Sequence, residues 1–248
     1  MPAFADDLFL GTAQTYMGIN TNSNLGDPSP MDVGVGPLGR IYVWDTVPAA
    51  IVANNIVKSA IITSSATLAA GTSSTAVIRA DGVSVIQLDV PRAVTITGNT
   101  SVTSVTFTVT GYDYYGQKMS EAITGPTTST ATGKKAFFQI SSISVSGTTT
   151  AAVTVGTSDV LGSPVKIPDL AYITHVGYNN TLADNAATCL KADAATATTT
   201  TGDVRGTVIP ASATDGSKRL VVGITLAALA VGPNATRAGA LGVAQNLA

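Results

Sequence analysis

Apolar and polar residues alternate with a period of two through much of the middle of the chain. In the clearest case, Val105, Phe107 and Val109 alternate with threonines. This alternation is typical of a β-strand with one face in a core and the other in solvent. The same pattern recurs at residues 83–90, 93–97, 143–145 and 153–155.

Glycine, aspartate and asparagine mark turns between these segments, for example at residues 81–82, 98–99 and 215–216. Many short strands at this spacing predict an all-β protein, a β-sandwich or a jelly-roll-like domain. Residues 204–209 and 219–226 are predicted to pair across the turn at 215–216. A short helical turn is predicted near residues 54–58.

Residues 1–47 follow a different pattern and predict an extended N-terminal arm. Residues 18–30 are rich in Asn, Ser, Gly and Pro, with no sustained period. A disordered linker would lack large apolar anchors, yet this segment contains Tyr16, Ile19, Tyr42 and Trp44. Two interpretations stay open: the arm docks on another surface, or it folds back on its own domain.

The remaining chain is long enough for one large all-β domain. We predict a β-sandwich domain over residues 48–230, with two possible sub-parts that divide near residue 165, and an irregular tail over 231–248. Residues 192–202 are almost entirely Ala and Thr, which suits either a flexible loop or a flat strand.

Composition supports the sheet prediction and points to self-association. The 248 residues include 37 threonines, a β-branched residue that favours strands. Charged residues make up 11% and the formal net charge is −2. So few charges protect a monomer weakly against association, so we expect a homodimer or a homotrimer.

The same composition argues against two classes of partner. Charges are scattered and form no basic stripe, so nucleic-acid binding is not expected. The longest apolar run, residues 220–231, is interrupted by Gly223 and Thr225. It is shorter than the roughly 20 residues of a membrane-spanning helix, so it is predicted to be a core strand and no membrane association is expected.

Candidate catalytic residues lack the neighbours that catalysis requires. His175, the single histidine, lies in a strand pattern, and Cys189, the single cysteine, has no nucleophile motif around it. The sequence Gly133-Lys134-Lys135 lacks the rest of a phosphate-binding loop and is predicted to be a hairpin turn with two solvated lysines. No enzyme activity, cofactor or catalytic residue is predicted; a calcium ion between loop carboxylates stays open, with no site named.

Three tyrosines lie close together in segment 111–116. Tyrosine is rigid and amphipathic, which suits interfaces. A hairpin tip with three of them could bind sugar or protein; alternatively, Tyr112 and Tyr114 cap the edge of the sandwich. The predicted partner-interface residues are Tyr16, Ile19, Tyr42, Trp44, Tyr112, Tyr114 and Tyr115.

Several segments resemble structural proteins of tailed bacteriophages. They are Leu-Asp-Val-Pro-Arg at 88–92, the tyrosine-containing stretch at 106–121, Gly-Lys-Lys-Ala-Phe at 133–137, and residues 140–145, 157–164, 201–207 and 242–245. The resemblance covers most of residues 85–248. Its motifs are strand and turn motifs, so they are more specific for fold than for role.

The resemblance implies a virion protein with no catalytic residue. The role it implies first is a capsid decoration or cement protein, made in the bacterial cytoplasm, that binds the major capsid protein at the capsid surface. The alternatives are another virion component (a head-fibre base, a tail or spike part) and a bacterial surface adhesin or sugar-binding module. Two acids near the start, Asp6 and Asp7, predict that no secretion signal is present, which counts against the adhesin.

Overall fold

The chain folds into antiparallel β-sheets that pack together, which confirms the predicted all-β class. The computed structural model describes residues 41–62, 66–68, 76–98, 100–182, 187–193, 196 and 198–225. Tyr16, Ile19 and the predicted tail over 231–248 lie outside the described residues. Besides strands, the described part contains a short 3₁₀ helix at Leu170–Tyr172.

The strands of the described residues belong to a ten-stranded sheet and a four-stranded sheet. In chain order they are β1 (Ile41–Thr46), β2 (Val57–Ala60), β3 (Ala66–Leu68), β4 (Ala76–Ile78), β5 (Ser84–Gly98), β6 (Thr106–Tyr112), β7 (Lys118–Thr124), β8 (Thr130–Val145), β9 (Val153–Gly162), β10 (Ile173–Tyr178), β11 (Thr181–Leu182), β12 (Ala187–Leu190), β13 (Thr207–Pro210) and β14 (Leu220–Thr225).

The larger sheet has the strand order β12-β13-β9-β5-β8-β6-β7, and the short strands β2, β3 and β4 pair with β9, β8 and β5. The smaller sheet has the order β11-β10-β14-β1. Residues 54–58, where a helical turn was predicted, form a bend that leads into β2 instead, because the β9 backbone supplies a pairing partner for Val57.

Two long strands form the centre of the larger sheet. Strands β5 and β8 contain 15 and 16 residues and pair with each other, with register shifts between Gln87 and Arg92 and between Ala93 and Thr95. Such irregularities bend and twist a strand. The two alternating segments at 83–90 and 93–97 are therefore parts of one continuous, irregular strand. The first hydrophobic core lies on this sheet and includes Ile96, Phe107, Phe137, Ile143 and Val155.

A second core lies between the smaller sheet and one end of the larger sheet. The smaller sheet contributes Tyr42, Trp44, Leu220, Val222 and Ile224, and the larger sheet contributes Val90, Leu161 and Val208. In the register of β1 and β14, Trp44 pairs with Val222 and Tyr42 with Ile224. The aromatic residues therefore face this protein's own core.

This arrangement corrects the predicted boundary of the arm. Ile41–Thr46 is a strand of the sandwich, so the prediction that the arm extends to residue 47 is wrong for these residues. For Tyr42 and Trp44, the interpretation that the segment folds back on its own domain is the one the structure shows. The two side chains lie on the same face of β1, and both are buried.

The predicted pairing of residues 204–209 with 219–226 is also wrong. Strand β13 pairs with β9 and β12 in the larger sheet, whereas β14 pairs with β1 and β10 in the smaller sheet. The turn at Asp215 and Gly216 is present, with a positive φ of 79° at Gly216. This turn therefore lies between β13 of the larger sheet and β14 of the smaller sheet. The two strands do not pair with each other, because β14 pairs with β1, which is distant along the chain.

A segment with no regular structure, residues 47–53, connects β1 to the larger sheet; we call it the strap. Arg92, only 1% exposed, donates from Nη2 to the Ala49 carbonyl oxygen (2.6 Å) and forms a two-point ion pair with Asp89. The Ala49 N–H in turn donates to Asp89 (2.7 Å). Because ion pairs and hydrogen bonds of buried groups are costly to break, the strap is held firmly.

The second core predicts the effect of removing its tryptophan. Trp44→Ala should lower the free energy of unfolding by about 3–5 kcal/mol, because it leaves a cavity between the sheets. Ile78→Ala is the control: Ile78 is 74% exposed, so its loss should change stability by about 0.5 kcal/mol or less. Urea denaturation of both variants measures the difference, and equal stabilities would contradict the position of β1.

Candidate functional site

The greatest concentration of buried ionisable groups in the described residues lies beside the larger sheet. Five side chains, each at most 5% exposed, meet there. We call them the ionic cluster: Asp113, Glu121, Lys135, Asp203 and Arg205. A buried charge is costly unless it is paired and hydrogen-bonded, so the contacts of each member show what the cluster does.

Asp113 shapes the turn between β6 and β7. Its Oδ1 accepts hydrogen bonds from the backbone N–H groups of Tyr115 (2.9 Å) and Gln117 (2.8 Å). Gly116 completes the turn with a φ of 78°, a conformation that glycine adopts without steric cost. The other oxygen, Oδ2, accepts from Arg205 Nη2 at 2.7 Å. This bond connects the turn to the segment before β13.

Glu121, on β7, binds the backbone of β8. Its two carboxylate oxygens accept from the N–H groups of Lys134 (2.6 Å) and Lys135 (3.1 Å). Glycine at position 133 leaves room for this carboxylate, because a Cβ there would lie 2.6 Å from Glu121 Oε2. The predicted hairpin turn is therefore wrong, because the three residues lie within β8. Of the two lysines predicted to be solvated, Lys134 is exposed and Lys135 is buried.

Asp203 and Lys135 fasten the loop between β12 and β13. Asp203 Oδ2 accepts from the Ala136 N–H (3.0 Å), and Oδ1 accepts from the Arg205 N–H (2.9 Å). Lys135 Nζ donates to the carbonyl oxygen of Thr196 at 2.7 Å. Thr196, in the Ala- and Thr-rich segment, and Asp203, directly after that segment, are thus bound to β8.

Burial changes the acid–base behaviour of the cluster. Desolvation raises the pKa of both Glu121 and Asp203, although backbone N–H groups and nearby cations oppose the rise. Desolvation likewise lowers the pKa of Lys135, against the effect of Asp203 and Glu121. The cluster contains three carboxyl groups and two cationic side chains, so a proton held by one carboxyl group brings it closer to neutrality.

The hydrogen bonds show that the cluster connects parts of the fold. The six carboxyl oxygens of Asp113, Glu121 and Asp203 each accept a hydrogen bond from a backbone N–H or from Arg205. Strongly shifted pKa values often mark catalytic sites, but structural ion networks produce them as well. Here the bonded groups join the β6–β7 turn, β7, β8 and the loop before β13.

The three tyrosines of the predicted hairpin tip contact their own chain. The Tyr112 ring lies 3.6 Å beneath the Arg79 guanidinium, and Tyr114 makes edge contacts with Tyr115 and Phe138, both with ring centroids 5.3 Å apart. The Tyr115 hydroxyl donates to the carbonyl oxygen of Pro164 (2.6 Å). These contacts favour the interpretation in which the tyrosines close the edge of the sandwich, although Tyr115 is still 39% exposed.

His175 and Cys189 lie on different strands, and neither belongs to the ionic cluster. The His175 ring lies beside Gly177, at whose position a Cβ would be 3.2 Å from His175 Nε2. Cys189 packs against the second core, and burial raises the pKa of its thiol to about 11. Among the residues with described positions, no group of three or more His, Cys, Asp or Glu is arranged to hold a metal ion.

The sequence analysis missed Arg92, Asp203 and Arg205. A signal was present: in a chain with 11% charged residues, Arg92 lies in a long apolar strand pattern, and Asp203 and Arg205 alternate with Val204. A charge at an inward-facing strand position, such as that of Arg92, implies a buried partner; Asp203 and Arg205 lie before β13, outside the strands. The sequence pattern did not identify which residue that partner is, because the partners are distant along the chain.

Comparisons with protein-family models, curated proteins and solved structures found no match. In the described part of the chain, no helix has the length and apolar character needed to cross a membrane.

The raised pKa values of Glu121 and Asp203 predict how stability depends on pH. Between the ordinary carboxyl pKa of about 4 and the higher folded values, the folded protein retains protons that the unfolded chain has released. In this range, the contribution of these groups to the free energy of unfolding falls as pH rises. Glu121→Gln removes one of them, so urea denaturation from about pH 4.5 to 7 should show a flatter dependence than in the wild type.

The control for this experiment is Asp81→Asn. The Val83 N–H and Arg79 hold the pKa of Asp81 below its usual range, so Asp81 titrates at lower pH and the slope above pH 4.5 should stay as in the wild type. Equal slopes for Glu121→Gln and the wild type would contradict the role given to burial.

Proposed function

We propose that this protein is a structural component of a bacteriophage particle. In its most specific form, the proposal is that the protein is a capsid decoration or cement protein, which binds the major capsid protein and stabilises the shell. Support comes from the resemblance of its strand and turn segments to phage structural proteins, from the low charge, and from the pairing of β1 with β14.

The pairing of β1 with β14 is the observation that carries the proposal. Ile41 and Thr225 are paired residues of β1 and β14. Residues 1–40 and 226–248 therefore join the sandwich at one end of the smaller sheet. The two terminal segments therefore start from neighbouring backbone positions. These neighbouring starting points are compatible with attachment of both terminal segments to one shell surface.

The body between the ends suits a role in which the protein is a stable unit on a larger particle. The Arg92 contacts and the ionic cluster fasten irregular segments to the sheets. Rigid surfaces bind with a smaller loss of conformational entropy than mobile ones. The ordered body would therefore add contacts to a shell at low entropic cost.

A different virion location, in a head-fibre base, tail or spike, is compatible with the same features. A sugar-binding role would rest on the exposed part of Tyr115. However, the Tyr115 hydroxyl already donates a hydrogen bond to the Pro164 carbonyl oxygen, and the Tyr114 ring packs on Phe138. These contacts leave fewer groups for a sugar, so the particle role is the one we propose.

Deletion of residues 1–40 tests the proposal. The shortened protein retains β1, so its melting temperature should remain close to that of the full chain, but its binding to particles that lack the protein should fall at least about tenfold. A full-length Tyr16→Ala/Ile19→Ala variant should bind with intermediate strength, since aromatic and apolar anchors often dominate interfaces. Co-sedimentation with purified particles measures binding.

Two controls make the result decisive. Ile78→Ala should bind like the wild type, because Ile78 lies on β4 and outside the terminal segments proposed to attach the protein. Deletion of residues 1–47 should unfold the protein, because it removes Tyr42 and Trp44 from the second core. A folded protein without residues 1–40 that binds particles at full strength would contradict the attachment role of this segment. A full chain that binds no particle would contradict the proposed function itself.

A further inference from the structure

The strap and the turn beside it form one apolar face. Its side chains Val47, Ile51 and Val52 are 48%, 45% and 42% exposed, and Ala49, Ala50 and Ala53 are exposed as well. Residues 46–57 contain no charged side chain. Exposed apolar residues that occur singly are ordinary, but a contiguous group is typical of an interaction surface.

The turn at residues 211–219 lies directly against the strap. The Gly216 N–H donates to the Pro48 carbonyl oxygen (3.0 Å), and Thr214 Oγ1 donates to the Ala49 carbonyl oxygen (2.7 Å). Ala211, Ser212 and Ala213 on this turn are exposed. The two segments therefore form one continuous surface with an apolar centre, which we call the strap face.

The strap is held by hydrogen bonds to the buried side chains of Arg92 and Thr214 and to the partly exposed side chain of Asp89. Arg92, Asp89 and Thr214 bind both backbone polar groups of Ala49. Further along, the Val52 carbonyl oxygen accepts from the Thr157 N–H at 3.1 Å. Glycine at position 156 is required for this approach, because a Cβ there would lie 2.1 Å from that oxygen. An apolar loop held in this way is already ordered for binding, which lowers the entropic cost of association.

The edge of the strap face carries charges of both signs. Asp45 and Arg219 form an exposed ion pair with side chains 40% and 56% exposed, and Asp215 and Lys218 form another at 3.3 Å. Two acids and two bases lie at this edge, and the partly exposed carboxylate of Asp89, paired with Arg92, lies beside Ala49. A charged rim around an apolar centre is the usual composition of a protein interface. A two-fold axis brings identical patches together, so an edge with balanced charges can be complementary to itself.

We propose that the strap face is the contact surface of a two-fold homodimer. In this dimer, Ile51 and Val52 pack against the same residues of a second copy, and Asp45 of each copy faces Arg219 of the other. The occupant is a second copy because the face combines an apolar centre with a charge-balanced edge. This inference goes beyond the proposed particle role and does not rest on it.

Sedimentation velocity of the purified full chain from about 1 to 100 µM tests the dimer, at concentrations where ordinary protein contacts associate. The wild type should sediment as a dimer at the upper concentrations. Ile51→Asp should weaken dimerisation about 30-fold or more, because it places a charge at the apolar centre. Ile78→Asp is the matched control: Ile78 is more exposed but lies outside the strap face, so this variant should dimerise like the wild type.

Charge exchange tests the pairing across the axis. Asp45→Arg and Arg219→Asp should each dimerise weakly alone, because each brings like charges together twice across the axis. Mixed in equal amounts, the two variants should form a one-to-one heterodimer, in which both contacts unite opposite charges. Circular dichroism of each variant, compared with the wild type, shows that the fold is retained.

Several outcomes would overturn the inference. These are a wild type that stays monomeric at 100 µM, a trimer, an Ile51→Asp variant that dimerises like the wild type, or a mixture that associates no better than its components. The experiment uses no particles, so its failure is distinguishable from a failure of the proposed function.

Discussion

The Arg92 guanidinium group fastens the strap, the segment that leads from the smaller sheet to the larger one, to the larger sheet. It lies on β5 and contacts Asp89, the Ser158 carbonyl oxygen of β9 and the Ala49 carbonyl oxygen of the strap. The strap carries the chain from β1 in the smaller sheet to the larger sheet. A buried arginine that lost these partners would be an unpaired charge with a large free-energy cost. The position of the strap and the burial of Arg92 therefore require each other.

The ionic cluster also holds irregular segments through buried, paired charges, on another part of the larger sheet. Asp203 and Lys135 fasten the loop before β13 to β8, and Arg205 reaches the turn after β6 through Asp113. In a chain with 11% charged residues, these side chains are unavailable to keep the surface soluble. The exposed surface is then built largely from Thr, Ser and Ala, which gives weak electrostatic protection against association. The same distribution of charge thus accounts for the internal ion pairs and motivates the proposed self-association.

Several features could be predicted from local sequence. The alternation at Val105, Phe107 and Val109 predicts the buried face of β6, and all three residues are buried. The turn at Asp215 and Gly216 could also be predicted, because an Asp-Gly pair favours a turn. In the structure, Asp215 accepts from the Ser217 and Lys218 N–H groups. The members of the ionic cluster could not be identified in this way. Asp203 and Ala136 are 67 residues apart, and no local pattern records that they meet.

By itself, the sequence determined the all-β class and most strand positions, because the period of two and the β-branched composition act through local conformation. Only the tertiary structure decided which strands pair. Backbone hydrogen bonds between strands are nearly independent of side-chain identity, so β1 could pair with β14 although about 180 residues separate them. The burial of Trp44 and Tyr42 followed from that pairing. The burial of Lys135 and Arg92 likewise depended on partners that only the folded chain brings within hydrogen-bonding distance.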